Sequence, residues 1–120
     1  MKLIGSRTEQ EQREQLIKSN QSLFKSEEKR RLLEAIKSSF PEMKTAYIVH
    51  WIPEQGEDIY KILINDCIIV EIELDHFDVE VEAIVESKTI PRYLQGLSKQ
   101  SQIKLAVALD LAKQDFKNME

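Results

Sequence analysis

Acidic side chains are concentrated in the middle of this chain. Between Ile62 and Ser87 there are eight Asp and Glu residues and no Lys or Arg, which gives that segment a charge of −8. The remaining thirteen acidic and seventeen basic residues give +4, so a net charge of −4 hides the difference. A concentrated negative field attracts a basic partner and speeds its encounter. The residues that we expect to bind this partner are Glu71, Glu73, Asp75, Asp78, Glu80 and Glu82.

A two-residue turn at His76-Phe77 would bring these acidic side chains opposite one another. Residues 67–75 and 78–86 both alternate apolar and polar side chains, which is typical of strands with one buried face. The facing pairs are then Asp75 with Asp78, Glu73 with Glu80, and Glu71 with Glu82. Like charges directly opposite one another destabilise a sheet by roughly a few tenths of a kcal/mol per pair, and an arriving cation removes that penalty.

The alternative for this surface is an ordinary solvated sheet face. Basic side chains from the preceding helix would cover it and neutralise its charge, and the candidates are Lys29, Arg30 and Arg31. The sequence leaves both alternatives open, because charged side chains are common on protein surfaces whether or not they bind anything.

A second constellation combines Asp78 with Glu86 and Lys88. It resembles the Asp…Glu-x-Lys pattern of metal-dependent nucleases of the PD-(D/E)xK type. The resemblance implies two carboxylates that hold Mg²⁺ and a lysine that assists the attack of water. It covers about eleven residues and departs from the family in placing both carboxylates on one predicted strand, 78–86. A small Mg²⁺-dependent nuclease is therefore the alternative function.

The remaining residue types indicate no further chemistry. His50 and His76 are too few for a zinc site, and three glycines provide no phosphate-binding loop. The single cysteine, Cys67, excludes an internal disulfide and is expected to be a small buried side chain. Tyr47 and Trp51 alternate along one predicted strand, so they are expected to share a face, either in the core or as an aromatic contact surface. We therefore expect no cofactor and no metal, and a non-catalytic role is favoured.

Composition narrows the class of protein and its location. The 120 residues fit one globular domain, with 42% hydrophobic and 32% charged residues. A sequence pI of about 5.3 argues against general binding to nucleic acids or anionic membranes, both of which use excess Lys and Arg. The sequence contains no apolar run of roughly eighteen residues, so a cytoplasmic location without a membrane is expected.

The pattern of apolar residues predicts the elements that carry these side chains. Residues 1–25 are a polar helix or a mobile arm, and residues 26–120 are a single α+β domain. Within that domain we expect a helix at 26–39 capped by Ser26, strands at 45–52, 58–64, 67–75 and 78–86, and a helix at 99–117 capped by Ser98. The predicted core face of the sheet includes Ile62, Ile64, Val70, Ile72, Val79 and Val81. The predicted fold class is α+β, with N-terminal helices, a four-stranded antiparallel meander and a C-terminal helix packed on the sheet.

These observations favour a non-catalytic, acidic interaction module that binds a basic protein and regulates or neutralises it. Such a module would act as an inhibitor or immunity protein of bacterial or phage origin does.

The order from Glu28 to Glu82 is a helix, Pro41, and strands that include Val-Glu-Ile-Glu-Leu-Asp. It is loosely similar to the PepSY-type inhibitory module, although His76-Phe77 replaces that module's Thr-Gly turn. A structural component without a separable site is the third possibility.

Overall fold

The computed structural model describes residues 3–78 and 80–119. Its elements are α1 (Arg7–Lys25), α2 (Arg30–Ser39), β1 (Ala46–Pro53), β2 (Glu57–Ile64), β3 (Ile68–Asp75), β4 (Ile84–Thr89), α3 (Ile90–Leu94) and α4 (Lys99–Asn118), with a 3₁₀ turn at Glu27–Lys29. The strands form one antiparallel sheet in the order β1-β2-β3-β4. The predicted fold class is confirmed: N-terminal helices, a four-stranded antiparallel sheet and a C-terminal helix that packs on it.

Helix α1 begins at a reciprocal cap. Ser6 Oγ accepts a hydrogen bond from the backbone N–H of Glu9 at 3.2 Å, while the Glu9 carboxylate accepts from the backbone N–H groups of the two residues before Ser6. Farther along, Leu16 and Leu23 are fully buried and join the helix to the sheet. The structure therefore shows a helix over Arg7–Lys25, docked by its thin apolar stripe.

The sheet separates two apolar cores, because its side chains alternate between its two faces. On the face that we call the α4 face, the buried sheet residues are Tyr47, Val49, Leu63 and Ile69, and they pack against α4 and the first half of α1. On the opposite, α2 face, the buried sheet residues are Ala46, Tyr60, Ile62, Ile64, Val70 and Ile72. Within the described parts of the chain, no helix is long and apolar enough to cross a membrane.

The fourth strand starts later than predicted. It spans Ile84–Thr89 instead of 78–86, and residues 80–83 belong to the connection that precedes it. Ile72 consequently pairs with Val85 and not with Val81, whose side chain is 46% exposed. The predicted core position of Val81 is therefore wrong, and Val79 lies outside the described residues. The other predicted core residues are buried: Ile62, Ile64, Val70 and Ile72.

A β-bulge in β1 decides which aromatic side chains share a face. The pairing of β1 with β2 shifts between Ile48 and His50, which displaces all later residues of β1 by one position. Tyr47 is buried on the α4 face, whereas Trp51 pairs with Tyr60 on the α2 face and is 52% exposed. The expectation that Tyr47 and Trp51 share a face is wrong, because a strict alternation does not allow for the extra residue.

The turn between β2 and β3 fixes the register of that pair. Asn65 has a φ of 55°, a left-handed conformation that Asn tolerates, and its Oδ1 accepts hydrogen bonds from the backbone N–H groups of Lys44 and Thr45. Cys67, in the same turn, is exposed, so the expectation that it is buried is wrong. This turn pairs the two strands so that Glu57 lies opposite Asp75.

Candidate functional site

The α4 face of the sheet continues beyond the part that α4 covers. Past Leu63 and Ile69, the next row across the strands is Lys61, Glu71 and Glu86, and the row after that is Ile59, Glu73 and Ile84. Glu71 and Glu73 are half-buried, whereas Glu86 is exposed and Ile84 is 56% exposed. This end of the sheet therefore presents carboxylates mixed with apolar side chains.

Glu73 lies at the centre of the negative charge. Partial burial raises the pKa of its carboxyl above the ordinary value, and the neighbouring carboxylates of Glu57, Glu71, Glu86 and Glu54 raise it further. We call these five residues the acidic face. Ionisation of Glu73 is therefore less favourable in the folded protein than in water, because burial and the neighbouring negative charges both oppose it.

No described basic side chain forms an ion pair with the acidic face. Among the described residues, none of its five carboxylates lies within 4.0 Å of a Lys or Arg nitrogen. Lys61 is the cross-strand neighbour of Glu71, but its ammonium lies over the ring of Tyr93, 5.8 Å from the ring centroid. Within residues 3–78 and 80–119, the negative charge of the acidic face is therefore unpaired.

The three basic residues that the sequence suggested as a cover have other partners. Lys29 Nζ lies over the rings of Trp51 and Tyr60, and Arg30 pairs with Glu27 in its own helical turn. Arg31 donates to the backbone carbonyl of Asp75 at 2.9 Å. The structure therefore does not show these three side chains covering the acidic face.

The two aspartates of the predicted turn shape the connection between β3 and β4. The Asp75 carboxylate accepts hydrogen bonds from the backbone N–H groups of Phe77 and Asp78 at 2.8 and 2.9 Å. Both hydrogen bonds lower the pKa of Asp75, and the bond from Asp78 has the larger effect. Asp78 in turn accepts from the backbone N–H of Glu80. These bonds stabilise a longer loop in place of the two-residue turn, which is the physical reason why β4 starts late.

The predicted facing pairs are consequently wrong. Glu71 lies opposite Glu86 instead of Glu82, and Glu73 lies opposite Ile84 instead of Glu80. Glu80 and Glu82 line a groove of about 550 Å³ between the loop and α2. Of the six predicted partner-binding residues, the structure brings Glu71 and Glu73 together on the acidic face. Asp75 and Asp78 stabilise the loop, and Glu80 and Glu82 border the groove.

Sequence reasoning missed two members of the acidic face, Glu54 and Glu57, and gave Glu86 a different role. The signal that could have found Glu57 is the turn at residues 65–67. Once Ile64 is paired with Ile68 across that turn, simple counting places Glu57 opposite Asp75.

The residues of the nuclease-like constellation lie on different elements. Glu86 and Lys88 are both on β4 and share the α4 face, whereas Asp78 lies in the loop before it. Within residues 3–78 and 80–119, no group of three or more His, Cys, Asp or Glu side chains is placed to hold a metal ion. His76 has a different neighbour, since its Nε2 lies 2.8 Å from Asp58 Oδ2.

No family model, no curated protein and no solved structure matches this chain. No relative therefore supports the nuclease-like or the PepSY-like resemblance. The proposed function rests on the geometry of the acidic face.

Proposed function

We propose that this protein is a non-catalytic interaction module whose acidic face binds a basic protein partner. The observation that carries the proposal is the surroundings of Glu73. Four other carboxylates lie close enough to raise its pKa, and no described Lys or Arg forms an ion pair with any of the five. A partner that brings Lys or Arg side chains to this face relieves the repulsion, so binding is favoured by the charge that the free protein leaves unpaired.

An exposed apolar side chain beside the carboxylates supports a protein partner over a simple cation. Ile84 is 56% exposed, and it lies next to Glu73 in the sheet. Protein interfaces combine an apolar centre with a polar rim, and complementary charges add speed and specificity to the contact. The partner that fits this surface therefore has an apolar patch bordered by basic residues.

The inhibitor or immunity-like role is part of the same proposal. An acidic surface that occupies a basic groove competes with the phosphate groups that such a groove ordinarily binds, because both present negatively charged oxygen atoms. We propose that the interaction takes place in the cytoplasm of a bacterial or phage-infected cell and neutralises or regulates the partner. Direct nucleic-acid binding is not part of the proposal.

Differential capture tests this proposal. The bait is the wild-type protein, and the test variant carries Glu71→Gln, Glu73→Gln and Glu86→Gln, which remove charge with little change in shape. A matched control carries Glu80→Gln and Glu82→Gln in the loop. We expect a basic protein from the producing organism to be retained by the wild type and the loop variant but not by the face variant. Equal retention by all three baits contradicts the proposal.

Other substitutions test the nuclease alternative. Glu86 belongs to both hypotheses and Lys88 only to the nuclease, whereas Asp78, one of the six residues predicted to bind the partner, lies in the loop outside the acidic face. Cleavage of DNA or RNA that requires Mg²⁺ or Mn²⁺ and is abolished by Asp78→Asn and Lys88→Met would replace the binding proposal with an enzyme.

A further inference from the structure

Two adjoining cavities lie where the end of β1 passes between α1 and α4. Their volumes are about 230 and 350 Å³, and both are lined by Gln15, His50 and Lys104. Gln15 comes from α1, His50 from β1 and Lys104 from α4, so three separate elements enclose the space.

The cavities exist because α1 covers only the first part of the outer edge of β1. Asn20 donates from Nδ2 to the carbonyl of Ala46 at 2.8 Å, and Ser19 Oγ accepts from the backbone N–H of Ile48 at 3.3 Å. These bonds close the edge as far as the bulge. Beyond the bulge, no described side chain bonds to the backbone of the strand in this way, and Trp51 borders the open space.

Basic side chains line the smaller cavity, although the protein as a whole is acidic and the Asp58 carboxylate accepts a hydrogen bond from Trp51 Nε1. Lys29, His50 and Lys104 line it, and no Asp or Glu does. Both lysines are half-buried, and within the described residues neither forms an ion pair. Burial lowers the pKa of Lys104, and burial together with Lys61 and Lys104 lowers that of His50. A cavity of this kind gains by admitting a negative charge.

An aromatic surface forms another wall of the same cavity. The rings of Trp51 and Tyr60 are nearly parallel, with an interplanar angle of 8° and centroids 6.3 Å apart. Lys29 Nζ lies 5.7 Å from each centroid, so a cation stands directly beside the flat surface. Flat aromatic surfaces stack with planar rings, whereas ammonium groups bind carboxylate or phosphate oxygens.

We propose that this cavity binds a small organic anion composed of a planar ring and a carboxylate or phosphate group. The ring lies against Trp51, and the anionic group is held by the ammonium groups of Lys29 and Lys104. The larger adjoining cavity, which Gln100 and Ser101 line at the start of α4, has room for the rest of a longer ligand. This site uses none of the residues of the acidic face, so it is independent of the function proposed above.

Trp51 provides a direct test, because it is the only tryptophan in the chain. Phenyl phosphate and benzoate are titrated in a low-salt buffer without phosphate, and Trp51 fluorescence is recorded. Inorganic phosphate, which lacks the ring, and benzyl alcohol, which lacks the charge, are the comparison compounds. We expect saturable binding of the aromatic anions, at least about tenfold tighter than that of either comparison compound. Benzyl alcohol lacks the ionic hydrogen bond and inorganic phosphate lacks the ring that packs against Trp51, and each contribution is of about that size.

Two lysines on one helix supply the matched variants. Lys104→Met removes the charge from the cavity, whereas Lys113→Met removes one from the exposed surface of the same helix, outside both cavities. We expect the first to weaken phenyl phosphate binding by roughly tenfold and the second to leave it unchanged. If Lys104→Met alters the thermal melt, Lys29→Met replaces it with the same expected loss. Aromatic anions that bind no better than benzyl alcohol, or binding that survives both cavity variants, overturn the proposal.

Discussion

Two valines test the position of β4 more directly than any other pair of residues. The observed register places Val85 beside Ile72 in the apolar core of the α2 face, whereas Val81 lies in the preceding loop and is 46% exposed. The alternating pattern of the sequence would put Val81 opposite Ile72 instead. The substitutions Val81→Ala and Val85→Ala make the same chemical change at both positions, so their difference reports burial alone.

The magnitudes follow from the methyl groups that each substitution removes. A fully buried valine loses about 1.6 kcal/mol on conversion to alanine, at about 0.8 kcal/mol per carbon, and a valine that buries half of its surface loses about 0.8 kcal/mol. Val85→Ala, in the core of the α2 face, should therefore destabilise the protein by about 1 kcal/mol or more, and Val81→Ala, at a position that is 46% exposed, by no more than about 0.8 kcal/mol. With an unfolding entropy of about 2.1 cal/mol/K per residue, 1 kcal/mol corresponds to a decrease in Tm of about 4 °C for a chain of this length.

Urea titration of both variants, followed by far-ultraviolet circular dichroism, provides the measurement. The m-values should equal that of the wild type, so that a change in midpoint reports stability. A larger loss for Val81→Ala than for Val85→Ala would refute the observed register and restore the hairpin expected from the sequence.

Three further predictions concern charge and the N-terminal helix. The raised pKa of Glu73 means that its ionisation costs stability as pH rises, so Glu73→Gln should raise Tm at neutral pH, with a gain that disappears below the pKa of an unfolded glutamate. The pKa of Glu9 is shifted in the opposite direction, because backbone hydrogen bonds, chiefly from Ile4, lower it. Glu9→Gln should therefore lower Tm at neutral pH. It should make no difference at a pH low enough to protonate the wild-type carboxylate. Thermal melts measured over a series of pH values check both predictions, and a change in Tm of the opposite sign for either variant would contradict the assignment. In α1, amide hydrogen exchange should be slower at residues 16–25, which contain both fully buried leucines, than at residues 8–15; equal protection would show that the first half is held as firmly.

The sequence was sufficient to predict the two central strands and the helices α2 and α4, but not the short helix α3. Tyr60, Ile62 and Ile64 in β2, and Val70 and Ile72 in β3, alternate with a period of two and all face the core on the α2 face, as the pattern predicts. The pattern does not predict that Leu63 and Ile69, on the opposite face, are buried as well. Local signals also worked at the helix starts, where Ser26 and Ser98 accept hydrogen bonds from backbone N–H groups as capping residues should.

The predictions failed where a side chain bonds to the backbone or where the strand contains an extra residue. Asp75 could either end a tight hairpin or hold a longer loop, and alternation in residues 79–85 is compatible with both. The bulge near Val49 carries no recognisable residue type, so the reversed side of Trp51 could not be predicted. For the candidate site, charge excess identified Glu71 and Glu73, but the carboxylates that surround them depend on a register that pattern alone did not give.

The central claim is that the acidic face steers a basic partner, and the association rate constant measured against ionic strength tests it most directly. The wild type, the triple variant Glu71→Gln, Glu73→Gln and Glu86→Gln, and the loop control Glu80→Gln with Glu82→Gln are compared with the captured partner, with thermal melts to verify folding. We predict that the triple variant associates at least about tenfold more slowly than the wild type at low salt and shows a flatter salt dependence, whereas the loop control does neither. Identical low-salt rates for the wild type and the folded triple variant would contradict the claim.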